Sequence, residues 1–111
     1  MLRNNTMKAQ ESKALRRLTE SLTTGNLWLP ILSLLKKRDC YAYEIPKLIR
    51  KQFGFDMNLI MGYLVLYKME ADGLISSYHK ERKKYYKTTP FGRKELEKGK
   101  KLLSKTAIGF G

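Results

Sequence analysis

Residues 57–90 read MNLIMGYLVLYKMEADGLISSYHKERKKYYKTTP, and they contain the clearest succession of a helix, a turn and two strands in the chain. Apolar residues recur at helical spacing in its first half, which predicts a helix over Met57–Ala71 with Asp56 as the N-cap. The side chains predicted to face inward are Leu59 or Ile60, Tyr63, Leu66 and Met69. An Asp-Gly turn follows, and then two segments rich in β-branched and aromatic residues, Leu74–Tyr78 and Tyr85–Thr89. They are predicted to pair as a β-hairpin with a heavily charged tip, and this hairpin over residues 74–89 is called the wing below.

Three helices are predicted before this stretch. Met7–Leu22 has a narrow apolar stripe of leucines and ends at a break over residues 23–26. Asn26 is a residue type that often caps helices, and it precedes a second, largely apolar helix through Leu35. Pro30 lies close enough to this cap for the helix to tolerate it. Tyr43–Phe53 is predicted as a third helix, with its outer face basic and Gly54 as its stop.

One helix is predicted after the wing, over Phe91–Lys105. Gly99 is expected to weaken it, and residues 106–111 are expected to form a loose tail. The chain is therefore predicted to be mainly α-helical with a small β-hairpin. Three core helices followed by a hairpin is the plan of the winged helix-turn-helix, here with N- and C-terminal flanking helices. The predicted divisions are a helical arm at 1–24, the winged domain at 25–90, and a terminal helix and tail at 91–111.

Composition points to an acidic partner and excludes several classes of protein. The 111 residues carry 23 Lys and Arg against 10 Asp and Glu, a formal net charge of +13. Such an excess favours binding to a polyanion. One Cys and one His cannot form an internal disulfide or the usual zinc sites, and no catalytic constellation or cofactor motif is present. The longest apolar stretch is too short to span a membrane and no signal peptide is visible, so we expect a non-enzymatic protein of the cytoplasm or nucleoid.

The positive charge is concentrated around residues 36–51 and 80–101. The segment 80–87 alone has five basic residues and one acid. In a winged helix-turn-helix the hairpin lies along the DNA backbone, so phosphate contact is favoured there over a merely solvated tip. The expected DNA-contacting residues are Tyr43, Lys47, Arg50, Asn58, Met61, Gly62, Tyr63, Lys68, Lys80, Arg82, Lys83, Lys84 and Lys87.

The helix over Met57–Ala71 is poor in residues that read bases. Asn58 is its one strong base reader, Met61 is suited to contact a thymine methyl, and Tyr63 and Lys68 suit packing or a phosphate. The alternative for residues 59–61 is that they are core, and the sequence leaves both open. We therefore expect affinity to come mainly from backbone charge.

Three motifs resemble the PadR-like transcriptional regulators. Residues 41–45, YAYEI, are similar to that family's yGYeI, and residues 63–75, YLVLYKMEADGLI, to its YxxLxrLexdGLI. Residues 84–96, KYYKTTPFGRKEL, are similar to its kyYxiTpxGrxxL. Ala42 replaces the family's Gly, Met61 stands where Thr is frequent, and the wing tip has no Gly to define its turn. The resemblance covers roughly residues 25–96 and implies a homodimeric regulator that binds double-stranded DNA.

The resemblance also implies that the terminal helices form the dimer. The expected interface residues are Leu15, Leu18, Leu22, Leu96, Leu102 and Leu103. Trp28 is expected to be a core residue, although in small members of the family an aromatic in this region can line a pocket for a flat apolar effector. Cys40, predicted at the start of a helix, is expected to be an ordinary buried thiol rather than a redox switch.

Two other functions stay open from the sequence. One is an architectural protein that coats DNA with little specificity, which the scarcity of base readers favours. The other is a winged-helix module that binds an acidic protein through its basic face. Discrete footprints would separate a regulator from the first, and a salt-insensitive complex would favour the second.

Overall fold

The computed structural model describes residues 10–111 and has the predicted winged-helix architecture with flanking helices. The helices are α1 (Lys13–Leu22), α2 (Trp28–Lys37), α3 (Ile45–Phe53), α4 (Leu59–Ala71) and α5 (Pro90–Gly109). The strands are β1 (Cys40–Tyr41), β2 (Ile75–Lys80) and β3 (Lys83–Thr88). They form an antiparallel sheet in the order β1-β3-β2.

The core is built around α2, as its largely apolar sequence predicts. Ile31, Leu32, Leu34 and Leu35 are buried on this helix. Helices α3, α4 and α5 and the sheet cover it with the apolar side chains Ile45, Ile49, Leu66, Met69, Ile75, Tyr86 and Leu96. One helix thus supplies the surface against which the wing and these three helices are held.

The starts of α1, α2 and α3 differ from the predictions. Ser12 caps α1 by accepting a hydrogen bond from the backbone N–H of Leu15, at 3.0 Å, so this helix begins at Lys13. The predicted residues 7–9 lie outside the described residues. Asn26 does not cap α2, because a 3₁₀ turn over Thr24–Asn26 leads directly into that helix. A second 3₁₀ turn, Ala42–Glu44, replaces the predicted first turn of α3.

Asn58, and not Asp56, is the N-cap of α4. Its Oδ1 accepts hydrogen bonds from the backbone N–H groups of Ile60 and Met61, at 2.8 and 3.3 Å. Asp56 instead pairs with the guanidinium of Arg50. The backbone of Asn58 is extended, as a cap position requires, and the helix therefore starts two residues later than predicted.

The strands of the wing extend further toward its tip than the sequence predicts, and the turn between them is tighter. The ladder continues through the pair Lys80↔Lys83, so only Glu81 and Arg82 form the turn. Both have positive φ, 51° and 67°. Two left-handed residues between paired strands are typical of a type I′ turn, which here forms without glycine. The charged residues flanking the turn are exposed, so they do not interrupt the backbone pairing.

The strand β1 is not predicted by the sequence. It pairs with β3, with Cys40 opposite Tyr86 and Tyr41 opposite Tyr85, so the wing is part of a three-stranded sheet.

The prediction of a loose tail over residues 106–111 is wrong, because α5 continues to Gly109. Residues 105–108 include no helix breaker, so the helix extends through them.

The junction between the wing and α5 is tightly built. The hydroxyl of Thr89 accepts a hydrogen bond from the N–H of Gly92, at 3.0 Å, and donates one to the carbonyl of Gly73, at 2.6 Å. Gly92 is buried, and a Cβ there would collide with the carbonyl oxygen of Leu74. This junction ties the start of α5 to the turn that follows α4.

Candidate nucleic-acid interface

The basic residues of the wing are exposed, and three of them rest against tyrosine rings. The Nζ atoms of Lys83, Lys84 and Lys87 lie 4.4, 5.5 and 6.0 Å from the ring centroids of Tyr41, Tyr86 and Tyr78, respectively. An ammonium group over an aromatic face is attracted by the electrons of the ring. The rings thus restrict where these lysine side chains lie while leaving their charges at the surface.

The wing presents charge on both of its faces. Successive residues of a strand point to opposite sides of a sheet, so Lys83 and Lys87 share one face and Lys84 takes the other. The face with Lys84 is turned toward α4, because Lys84 Nζ lies 3.9 Å from Glu70 and Ser77 donates a hydrogen bond to the same carboxylate at 2.6 Å. The turn residue Arg82 is exposed between the two strands.

A shallow cleft joins the wing to the helices. Its volume is about 150 Å³ and its lining residues are Tyr41, Ala42, Tyr43, Tyr63, Lys83, Lys84 and Tyr86. Four residues predicted to contact DNA therefore lie together, Tyr43 and Tyr63 beside the lysine pair of the wing. Both tyrosines are exposed, so the interpretation of Tyr63 as an inward-facing residue is wrong. Two phenols beside two ammonium groups form a surface suited to a phosphate.

In the first turns of α4, the positions of Gly62 and Asn58 bear on two predicted DNA contacts. Gly62 is buried, and a Cβ on it would strike the Met57 side chain, so this residue faces the core and not a ligand. The reason is helical phase, since Gly62 shares a face with Leu66 and Met69. Asn58 uses its Oδ1 as a cap, which leaves the amide N–H₂ as the group available to a base. Met61 is exposed, as a contact residue must be.

The remaining predicted contacts are more scattered. Lys47 and Arg50 are exposed on α3, and Arg50 is paired with Asp56. Lys68 is in the last turns of α4, where it lines a separate cleft that also includes Trp28. Lys80 is exposed at the end of β2 and pairs through its backbone with Lys83.

The leucines predicted for a dimer interface fall into two groups. Leu15, Leu18 and Leu22 are exposed on α1, and Leu102 and Leu103 are exposed on the second half of α5. Leu96 is only 3% exposed and packs into the core of its own chain, so it has almost no surface to offer a partner. The first half of α5 lies on the core, and its second half extends beyond it.

Cys40 and Trp28 are placed in different surroundings. Cys40 lies in β1 and not at a helix start, and it is fully buried, as expected for an ordinary thiol. Burial raises the pKa of this thiol to about 11, which keeps it protonated. Trp28 is half-buried and forms one wall of the cleft with Lys68, whose volume is about 360 Å³.

Sequence reasoning missed a row of tyrosines across the sheet. Tyr41, Tyr85 and Tyr78 are register neighbours, with the Tyr78 and Tyr85 rings stacked at 5.7 Å. The Tyr78 hydroxyl donates a hydrogen bond to Asp39, at 2.5 Å, and this bond raises the pKa of Tyr78 to about 12. In the sequence, Tyr85 alternates with Lys83 and Lys87, which indicates that the three side chains share one face of the strand. The neighbouring Tyr41 could not be predicted there, because it belongs to the unpredicted strand β1.

Two further properties concern residues 10–111. None of the helices there is long and apolar enough to cross a membrane. No group of three or more His, Cys, Asp or Glu side chains within that range is arranged to hold a metal ion.

Comparison with known proteins identifies the family. The sequence profile described as "Transcriptional regulator PadR-like family" matches residues 31–98. A PadR family transcription regulator from Clostridium difficile is 34% identical, over 77% of this chain and 97% of that one, with a TM-score of 0.67. A transcriptional regulator from Clostridium thermocellum is 33% identical, over 80% of this chain and 95% of that one, also with a TM-score of 0.67.

A third structure contains a nucleic acid. Bacillus subtilis PadR in complex with operator DNA is 28% identical, over 65% of this chain and 45% of that one, with a TM-score of 0.59. A search of curated proteins finds no match. The profile match covers more than half of the chain, and it agrees with the winged fold and the motifs at residues 41–45, 63–75 and 84–96. This chain belongs to the PadR-like family of transcriptional regulators.

Proposed function

We propose that this protein regulates transcription by binding double-stranded DNA as a homodimer. The observation that carries the proposal is the joining of two surfaces, the basic wing and the first turns of α4. They meet at the cleft that contains Tyr43, Tyr63, Lys83 and Lys84. In winged helix-turn-helix proteins the corresponding helix enters the major groove while the hairpin follows the backbone. The operator DNA bound by Bacillus subtilis PadR supports the same class of ligand here.

Backbone contacts supply most of the affinity in this proposal. Lys80, Arg82, Lys83, Lys84 and Lys87 are all exposed, and the α3 residues Lys47 and Arg50 add charge on the side of a second helix. By contrast, α4 carries only two charged side chains, Lys68 and Glu70, and Glu70 already accepts a hydrogen bond from Ser77. A protein with this charge pattern binds the phosphates of any DNA duplex, and it gains sequence specificity from a small number of base contacts.

The dimer is proposed from the exposed apolar side chains of the terminal helices. α1 has no buried residue, although Leu15, Leu18 and Leu22 form one stripe along it. Leu102 and Leu103 are likewise exposed on α5. An isolated 10-residue helix is marginally stable in water, so a second chain covering these leucines would stabilise both helices.

In this proposal a flat apolar effector would bind in the cleft beside Trp28. The protein would act at the nucleoid, where its DNA ligand lies.

Salt dependence of DNA affinity tests the proposal. If two wings and two α3 faces together contact about eight phosphates, log affinity should fall with log salt concentration at a slope near −7. Fluorescence anisotropy with a short labelled duplex measures this slope. A slope shallower than about −2 would refute the multi-phosphate contact, and a salt-insensitive complex with an acidic protein would favour an interaction module instead.

A second measurement tests the dimer and the regulatory role. Leu102→Asp with Leu103→Asp should convert the protein to a monomer by sedimentation, whereas Lys101→Asp, an exposed position on the same turn, should not. A wild-type monomer would contradict the homodimer. Footprinting then distinguishes two roles: discrete protected half-sites support a regulator, and uniform coverage supports an architectural protein.

A further inference from the structure

The solvent face of α4 is apolar. Ile60, Leu64 and Tyr67 follow one another at i, i+4 and i+7, so they form a single stripe, and they are 73%, 59% and 75% exposed. Met61 and Tyr63 border this stripe and are also exposed. The stripe Ile60–Leu64–Tyr67 is therefore a continuous apolar surface along α4, the helix that enters the major groove in the proposed function.

This surface is not needed to hold the chain together. The core face of α4 is formed by Gly62, Leu66 and Met69, on the opposite side of the helix. Single exposed apolar residues are common on proteins, but a continuous row of large ones marks a surface that binds something. On α4 the row takes the positions where a base-reading helix usually has polar side chains.

Charge at the border of the stripe indicates the occupant. Tyr63, at one edge, lines a cleft with Lys83 and Lys84, so any partner covering the stripe meets the positive wing at its side. The partner must then have an apolar centre and a strongly negative rim. The major groove at A·T pairs has this character, because thymine C5-methyl groups lie on its floor and phosphates line both edges.

We infer that the stripe Ile60–Leu64–Tyr67 reads thymine by burying the C5-methyl groups of the major groove. This inference rests on the proposed function and supplies its missing base specificity. Asn58 has its amide oxygen occupied as a helix cap, so apolar contact replaces hydrogen bonding as the main source of discrimination. Preferred sites should then have thymines at the positions facing the middle of α4.

Uracil substitution tests the inference with a minimal chemical change. Duplexes are first selected from random-sequence DNA by the 111-residue protein at about 0.15 M salt. The best binder is then prepared again with uracil for every thymine in the protected half-sites. Uracil pairs like thymine and has the same charge, so only the methyl groups are lost. Affinity should fall about fourfold for each methyl buried, or about sixteenfold for one methyl in each of two half-sites, with an unchanged salt slope.

Variants of the stripe show which side chains meet the methyls. Leu64→Ala and Ile60→Ala remove exposed side chains and should leave folding intact. Each should weaken binding to the thymine duplex and bring the ratio between thymine and uracil duplexes toward one. Phe91→Ala, which removes an exposed apolar side chain from α5, is the matched control and should preserve the full ratio.

The outcomes separate this inference from the proposed function. Equal affinity for the thymine and uracil duplexes, or selected sites without thymine, would overturn the inference alone. The stripe would then be a surface for a protein partner. Absence of salt-dependent binding to any duplex would refute the proposed function, and the inference with it.

Discussion

Replacing Arg82 with glycine should make the protein more stable and its DNA complex weaker. Arg82 has φ of 67° at the second position of the wing turn, a conformation that costs a residue with a Cβ about 1–2 kcal/mol. Glycine adopts it freely, but glycine also gains entropy in the unfolded chain, which offsets about 0.5–1 kcal/mol. The net stabilisation is about 0.5–1 kcal/mol, which corresponds to a rise in Tm of roughly 2–6 °C.

The same change removes one positive charge from each wing. In a dimer, two lost phosphate contacts make the slope of log affinity against log salt shallower by about 1.8. If the two proteins bind equally at 1 M salt, this difference in slope makes the affinity of the glycine variant roughly 30-fold lower at 0.15 M salt. The arginine is thus predicted to be kept for its charge at a position where the backbone favours glycine.

Thermal unfolding at fixed protein concentration and anisotropy titrations at several salt concentrations check both effects. Arg82→Lys is the matched control, because it keeps the charge and the Cβ and should leave both Tm and slope close to those of the parent. A lower Tm for the glycine variant would refute the strain argument. An unchanged slope would show that Arg82 contacts no phosphate.

Three further results are expected. Thr89→Ala should lower the free energy of unfolding by about 2 kcal/mol in urea titrations, because the α5 cap and the bond to Gly73 are both lost, whereas Thr89→Ser should stay within about 0.5 kcal/mol. Asn58→Ala should lose about 1 kcal/mol as a cap and also sequence discrimination in DNA selection; Asn58→Ser should keep the stability and still lose discrimination, and a fully specific Ser variant would exclude base reading by the amide. Stability should decline from about pH 9 upward, since the pKa of Cys40 is near 11 when folded and 9.0 in the reference state, so the unfolded chain loses its thiol proton first. Chemical denaturation of Cys40→Ala should show a flatter pH profile over that range, and an identical profile would contradict the assignment to this thiol.

Local patterns were enough to predict the order of helices and the wing. The continuous run of apolar residues in α4, free of helix breakers apart from Gly62, and the Asp-Gly turn after it depend only on neighbouring residues, so they can be recognised in the sequence. β1 could not be predicted this way. Its two residues, Cys40 and Tyr41, have no periodicity, and their partners Tyr86 and Tyr85 lie more than forty positions away in the chain.

Helical phase explains most of the errors in the predicted site. Gly62 is predicted at the DNA surface from its place in the first turns of α4, but which side of a helix meets the core depends on the packing of other helices. Leu96 is predicted together with Leu102 and Leu103 for a different reason. All three are apolar residues of α5, and the local pattern does not show that only the first half of this helix rests on the core. The exposed wing lysines were predictable from charge alone, whereas the tyrosine rings beneath them required the register of three strands.

The short strand β1 has a consequence for the thermodynamics of binding. A free two-stranded hairpin is marginally stable in water and would have to become ordered each time it met DNA. Here Cys40 and Tyr41 pair with β3 and connect the base of the wing to α2 and α3. The wing is therefore already in one conformation before it meets a ligand, and little conformational entropy is lost on association. More of the electrostatic attraction between lysine and phosphate then contributes to affinity.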